Sequence, residues 1–515
     1  MASNNSVKIL EVCRVTPLPS SQASATPSSL LLTFFDILWL RFPPVDRVFF
    51  YEISSTNTSF MDSILPKLKH SLSLTLHHFL PLTGTFIWPQ DSLKPIISYT
   101  ENDSVSLTVA ESNANFYHLS GNNFVEAVEY HPLVPDLATS HEQAPVLALQ
   151  VTAFSNCGFC IGITAHHAFL DGKSSTMFMK AWAHLCKLGG NALSLVPELT
   201  PCFDRMVIKD PAGLESIYLN GWLNHDGPHN KSLKVWELKT PPGVVRGAFE
   251  LTRTKLEKLR QLITNILEKN NGQEQPVPLS RLILTFAYTW VCLAKVEGLR
   301  DNKIHLVINV DARSRLEPPV PGNYFGNCLT GCVAIAERND LLGEKGVAMA
   351  AKAIIEAIRS LDYGVLKSAE KLLSLLLTVK KDNISDRVFG IAGSPRFELY
   401  NIDFGWGKPT KVEMISIDKT GAVRVSETRD GAGGIEIGVV LNKNVMEELL
   451  QYLPRVLKSC KVTCDLQGYA CKRSRRCVNC EAILVDLIFL FCVMSTQFVI
   501  QYIKVFCQVH EKQGC

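Results

Sequence analysis

The 515-residue sequence predicts an α/β protein made of two blocks of strands and helices. Short runs of β-branched and aromatic residues alternate with stretches of helical apolar spacing, as mixed α/β architectures require. A stretch rich in Pro, Gly, Asn and His, residues 191–245, divides the blocks. The organisation expected is an N-terminal domain over 1–190, a crossover over 191–245, a C-terminal domain over 246–459 and a separate tail over 460–515.

The elements follow in order. "LLLTFFDILWL" (30–40) reads as a buried strand, too short to span a bilayer and interrupted by Asp36. "RVFFYEI" (47–53) is strand-like, and "SFMDSILPKLKHSLSLTLHHF" (59–79) has helical spacing. "KPIISYT" (94–100) is a strand. "APVLALQVTAF" (144–154) and "GFCIGITAHH" (158–167) are adjacent strands joined by a short turn. "STMFMKAWAHLCKL" (175–188) starts a helix that Ser174 or Ser175 can cap. In the second block, "RTKLEKLRQLITNILEK" (253–269) is an amphipathic helix and "SRLILTFAYTWVCLAKV" (280–296) a helix apolar nearly all round, hence buried. "KIHLVINVDARSR" (303–315) is a strand ending in charge. "RFELYNIDFGWGKP" (396–409) reads as a strand entering a glycine turn. "AVRVSETRDGAGGIEIGVVL" (422–441) is a hairpin, and "NKNVMEELLQYLPRVLKS" (442–459) a closing helix.

Composition narrows function. A net charge of +3 is too balanced for a nucleic-acid binder, which would carry a basic stripe. The N-terminus shows no apolar run behind a basic segment, so no secretory leader is expected. Eight of the sixteen cysteines lie in 1–459, mostly inside apolar runs, and eight in 460–515. Buried thiols in a reducing cytosol are the expectation, with a cytoplasmic location.

"HHAFLDG" (166–172) is the first stretch with chemical promise. Alone, H-x-x-x-D is a chance-level pattern: thirteen histidines produce about one such match at ordinary composition. Strand parity raises its value. Phe159, Ile161, Ile163, Ala165 and His167 share one face, which puts His167 at the corner between strand and helix. Gly172 is expected to permit the sharp turn. A neutral imidazole there suits a general base. His166 and His167 face opposite sides, so they cannot share a metal ion. Neither the H-E-x-x-H spacing nor a G-x-S-x-G elbow occurs.

"HHAFLDG" followed by "DFGWG" (403–407) resembles the plant BAHD acyltransferases, which use CoA thioesters. "LTFFDILWLRFPPVDRVFFY" (32–51) is similar to that family's opening region. "NYFGNC" (323–328) and "DGKSSTMFMKAWAHLCK" (171–187) resemble its subgroup of phenolic-glucoside and anthocyanin malonyltransferases. The resemblance covers residues 5–458. It implies two similar chloramphenicol-acetyltransferase-like domains with a solvent channel between them. It also implies small-molecule substrates, no resident cofactor or metal, and a monomer. The reaction it implies moves malonyl from malonyl-CoA to the sugar hydroxyl of a phenolic or flavonoid glucoside. The same fold with a hydroxycinnamoyl-CoA donor, or as a non-catalytic membrane-anchored interaction protein, is the alternative.

By the same resemblance His167 is the base. The Trp406 indole would stabilise the oxyanion, with Gly405 and Gly407 letting the backbone bend. Asp171 would turn away to pair with Arg313, and Asp403 would hydrogen-bond Asn327, both holding the motifs in geometry. For the malonyl carboxylate the cations to hand are Lys173, Arg313 and Arg315; with Arg313 already paired, Arg315 or Lys173 remains. Ser394 and Arg396 of "GSPRF" are expected in the channel near CoA, and Lys255 or Lys258 near its phosphates.

Residues 460–515 depart from the family pattern. "CVNC" (477–480) lacks the second C-x-x-C of a zinc ribbon. The apolar run 482–506 behind "KRSRR" has the form of a tail anchor only if the segment is a selected structure.

Overall fold

The computed structural model describes residues 6–19, 28–53, 59–100, 102–189, 194–270, 279–299, 301–367, 369–379 and 388–458. The cysteine-rich tail and residues 482–506 lie outside them. Among the described residues no helix is long and apolar enough to cross a membrane.

The first half contributes strands β1 (Val7–Val15), β2 (Ser28–Leu31), β3 (Val45–Glu52), β4 (Thr85–Ile87), β5 (Ile96–Tyr99), β6 (Val105–Ser112), β7 (Val125–Glu126), β8 (Gln143–Pro145), β9 (Leu147–Phe154) and β10 (Gly158–Ala165). The second half contributes β11 (Val244–Leu251), β12 (Lys303–Asp311), β13 (Leu329–Glu337), β14 (Val388–Ala392), β15 (Lys411–Met414), β16 (Val423–Glu427) and β17 (Ile435–Asn442). They form a six-stranded sheet ordered β1-β6-β9-β10-β3-β15, a seven-stranded sheet ordered β13-β12-β14-β16-β17-β11-β7, and a small sheet β2-β5-β4-β8.

The halves exchange strands. β15 comes from the second half but pairs with β3 of the first sheet, and β7 comes from the first half but pairs with β11. Each exchange covers an edge that would otherwise expose unpaired backbone groups. The division of the sequence at 191–245 therefore runs through a joined structure. A buried ionic cluster ties β15 to the second sheet. Arg246 of β11 pairs with Glu413 of β15 at 2.7 Å and with Asp418, and Arg424 of β16 pairs with Glu436 at 2.5 Å. Burial pushes the Glu413 carboxyl up, but Arg424, Arg246 and Lys411 outweigh it and hold it well below the usual range.

The helices that matter to the site are α1 (Phe34–Ile37), α2 (Leu65–His78) and α3 (Gly172–Lys187). α4 (Leu214–Leu223) lies in the crossover. α5 (Arg253–Asn270), α6 (Arg281–Val296), α7 (Gly346–Ser360) and α8 (Lys443–Lys458) cover the second sheet. α6 is buried nearly all round, as its continuous apolar text requires.

Three expectations change. The apolar run 30–40 is not one strand: β2 ends at Leu31 and α1 begins at Phe34, because Thr33 and Asp36 form a capping box. Residues 396–409 hold short 3₁₀ turns instead of a strand, Pro395–Phe397 and Leu399–Asn401. The crossover contains α4, anchored by the buried Trp222, whose indole donates to the Ile37 carbonyl at 2.7 Å. Pro and Gly in its flanks obscure that helix.

Candidate active site

β10 runs antiparallel between β3 and β9, and the chain leaves it at Ala165 into the corner that carries both histidines. The two rings diverge as parity requires. His166 is buried against Phe86, ring centroids 4.4 Å apart, and its Nδ1 accepts the Ala168 N–H at 3.2 Å. Burial, reinforced by His167, lowers its pKa to about 3, so it is a neutral packing residue. His167 stacks face to face on Trp39, 4.1 Å and 7° apart, with Phe42 edge-on at 5.6 Å. Its Nδ1 is buried while the residue as a whole is only half-buried, so the Nε2 edge is the one presented.

Burial lowers the His167 pKa to about 4, against the opposing pull of its own carbonyl, Asp171 and Asn327. A base must be unprotonated to act. The acid limb of kcat/KM should therefore lie near pH 4 instead of near 6.5, leaving the rate flat down to about pH 5. A limb at the ordinary histidine value in a pH–rate profile would contradict this environment. Folding stability has the same sign: both histidines have depressed pKa values in the folded state. As pH falls below about 6.5 the unfolded chain takes up protons that the folded one refuses, and stability drops.

Asp171 is the N-cap of α3, in place of the expected serines: its Oδ1 accepts the Ser174 N–H at 2.8 Å. Its Oδ2 pairs with Arg313 Nη2 at 2.9 Å and accepts the Cys328 N–H at 3.2 Å. The expected Asp171–Arg313 pair is thus present, with the side chains 0% and 2% exposed. Arg313 also donates to Asp311 at 3.0 Å and to the Gly326 carbonyl at 2.8 Å. Gly326 sits at φ 156°, where a Cβ would lie 2.0 Å from an Arg205 nitrogen. Gly172 is needed for a different reason than a turn: a Cβ there would meet the Phe397 ring at 2.6 Å.

Asn327 does not meet Asp403. Its backbone and side-chain N–H groups donate to Asp36 Oδ1 at 3.0 and 3.1 Å, and Nδ2 donates to the His167 carbonyl at 2.8 Å. Asp36 in turn accepts from the Thr33 N–H and hydroxyl, both at 2.9 Å. Asp36, Trp39 and Phe42 are thus site residues that sequence spacing missed. The Thr33-x-x-Asp36 capping pattern was the one available signal.

The "DFGWG" loop lies elsewhere. Asp403 accepts the Gly405 and Gly407 N–H groups at 2.8 and 3.0 Å and pairs with Lys187 at 2.7 Å, at the far end of α3. Gly405 and Gly407 both adopt φ 105°, which explains the glycines. Trp406 packs edge-on against Phe159 at 5.9 Å. Phe159 lies at the start of β10 and His167 two residues past its end, about 26 Å away at ~3.3 Å per residue. The Trp406 indole is therefore no oxyanion donor at His167. The motif locks a loop onto α3 and the start of β10.

The other predicted contacts divide. Lys173 pairs with Asp311 at 3.6 Å and Arg315 with Asp362 at 3.1 Å. Ser394 accepts the Arg396 N–H at 3.2 Å in a turn that Phe397 brings against Gly172, beside the site; Arg396 is exposed. Lys255 donates to the Glu250 carbonyl at 3.1 Å, and Lys258 lies on the same solvent side of α5, a helix of the second core.

A neutral imidazole held where Asn327 and Arg313 of the second half latch onto His167 and Asp171 of the first matches a known architecture. The transferase family model covers residues 6–452. The chain belongs to this transferase family, the BAHD acyltransferases. It is an acyl-CoA acyltransferase. It is 39% identical to phenolic glucoside malonyltransferase 1 of Arabidopsis thaliana, over 88% of this chain and 98% of that protein. It is 41% identical to malonyl-CoA:anthocyanidin 5-O-glucoside-6''-O-malonyltransferase of the same plant, over 86% and 97%. Among solved structures, vinorine synthase shares the BAHD fold with a TM-score of 0.63 and 22% identity, over 88% of this chain and 98% of that one. The tail from residue 460 lies beyond the family match.

Proposed function

We propose that this BAHD acyltransferase transfers malonyl from malonyl-CoA to a sugar hydroxyl of a phenolic or flavonoid glucoside. The observation that carries the reading is His167: neutral, fixed by the Trp39 stack, with Nδ1 buried and Nε2 presented at the seam of the two halves.

The acceptor hydroxyl gives its proton to Nε2 as its oxygen attacks the thioester carbonyl. The tetrahedral intermediate collapses, the C–S bond breaks, and the departing CoA thiolate takes the proton back from His167. No covalent enzyme intermediate is involved. Asn327 holds the His167 carbonyl from the second half, and the Asp171–Arg313 pair holds the corner below it. Both fix geometry and neither exchanges a proton. Aromatic rings beside His167, Trp39 and Phe42 with Trp236 behind, suit a planar acceptor aglycone.

A donor panel of malonyl-, acetyl- and coumaroyl-CoA against a set of phenolic glucosides tests the reading. The expected result is malonyl glucoside formed in step with free CoA, at a higher kcat/KM than with either other donor. Preference for coumaroyl-CoA, or transfer to no glucoside, would overturn it.

A further inference from the structure

A malonyl donor brings a second carboxylate into the site, and a buried carboxylate needs a cation. The cations that the sequence offered for it are already engaged: Arg313 by Asp171 and Asp311, Lys173 by Asp311, Arg315 by Asp362. One cation is not. Arg47 of β3 is 2% exposed, and its Nε, Nη1 and Nη2 all lack a hydrogen-bond partner. Among the described residues no other arginine has all three nitrogens buried and unpartnered. An unpaired buried guanidinium is costly, so a fold retains one when something else supplies the anion.

Its position points to the reaction. Arg47 pairs in register with Ile163 of β10. Parity puts it with Phe49 and Tyr51 on the sheet face of Ile161, Ile163 and Ala165, all in the first core. Val48, Phe50 and Cys160 line the opposite face. His167 lies four residues beyond Ile163, about 13 Å along the strand direction. An arginine side chain, a three-carbon acyl group and an imidazole together cover that span. The charges that act on Arg47 sit on β16 of the second sheet: Arg424 repels it and Glu427 attracts it. Glu427 is not its hydrogen-bonded partner; it accepts the Tyr400 N–H at 2.9 Å through Oε1, and its Oε2 is itself unpartnered. Burial lowers the Arg47 pKa to about 10, which leaves it charged at neutral pH.

We propose that Arg47 is the residue that binds the far carboxylate of the acyl donor and so selects malonyl-CoA over donors without that charge. This rests on the malonyl reading above. The test compares wild type with Arg47→Met and Arg47→Lys, using malonyl-CoA and acetyl-CoA with one phenolic glucoside, and follows thermal melting of each protein. Arg47→Met should lower the malonyl-to-acetyl ratio of kcat/KM by on the order of 10²-fold, mainly through the malonyl-CoA KM, as loss of a charge-assisted bidentate contact predicts. Arg47→Lys should recover part of the ratio. Equal losses with both donors in a folded Arg47→Met protein would overturn the assignment and make Arg47 a structural brace toward Glu427. If Arg47→Met does not fold, the Lys variant decides alone: an unchanged ratio would overturn the proposal. Wild type that ignores malonyl-CoA would instead remove the donor reading itself, which separates the two failures.

Discussion

His167→Ala should lower turnover by about 10²- to 10⁴-fold, the usual worth of a general base. The prediction is specific to the imidazole because the rest of the corner stays in place. Asp171 still caps α3, Asn327 still donates to a backbone carbonyl, and the ring removed is half-buried. What packing loses is the stack on Trp39 and the edge contact with Phe42, worth about 0.5–1.5 kcal/mol per aromatic pair beyond area. The variant should therefore fold, bind acyl-CoA and fail to transfer. CoA release measured at saturating donor and acceptor, alongside a melting curve, checks it. Near-normal turnover would take His167 out of its role, whatever the curve shows.

Asp171→Ala should cost about 3–5 kcal/mol of stability, the loss expected when one partner of a buried ion pair is removed and the other charge stays behind. Arg313 would keep Asp311, which is half exposed, and the Gly326 carbonyl, but lose its fully buried carboxylate. The Ser174 and Cys328 N–H groups would also lose their acceptor, and α3 its cap. Asp171→Asn should cost less, since an amide oxygen can still accept at the cap. In both variants activity should fall with stability, because the same carboxylate holds the strand–helix corner that aims His167 and the 326–328 turn that carries Asn327. Denaturant unfolding of the two variants beside their turnover separates the roles. Normal stability with abolished turnover would make Asp171 a chemical participant.

Much of this was legible along the chain. Period-two and helical apolar spacing located β10, α3, α5, α6 and the β16–β17 hairpin, because those patterns record which face of each element is buried. Parity alone separated His166 from His167, and the rings do point to different sides. The family motifs supplied the Asp171–Arg313 pair, which no local spacing contains.

Contacts between distant segments were not legible. Asn327 was expected on Asp403 and is held by Asp36, a carboxylate whose sequence traits were a capping pattern with Thr33 and a break in an apolar run, neither of which points to Asn327. Trp406 was expected at the oxyanion and packs on Phe159, because Asp403 folds the Gly405–Gly407 loop onto Lys187 at the far end of α3. Arg47 was one charge in a strand until the β3–β10 register put it on the His167 face with no hydrogen-bonded anion.

The α/β class, the principal elements and the family are readable along the chain, since each follows from patterns repeated within one segment or from motifs kept whole. Which carboxylate holds Asn327, where "DFGWG" sits, the exchange of β7 and β15, and which buried arginine among the described residues lacks a hydrogen-bond partner emerge only in the folded molecule. Those outcomes depend on strand register and on competition among partners hundreds of residues apart. No periodicity within a segment encodes such pairings.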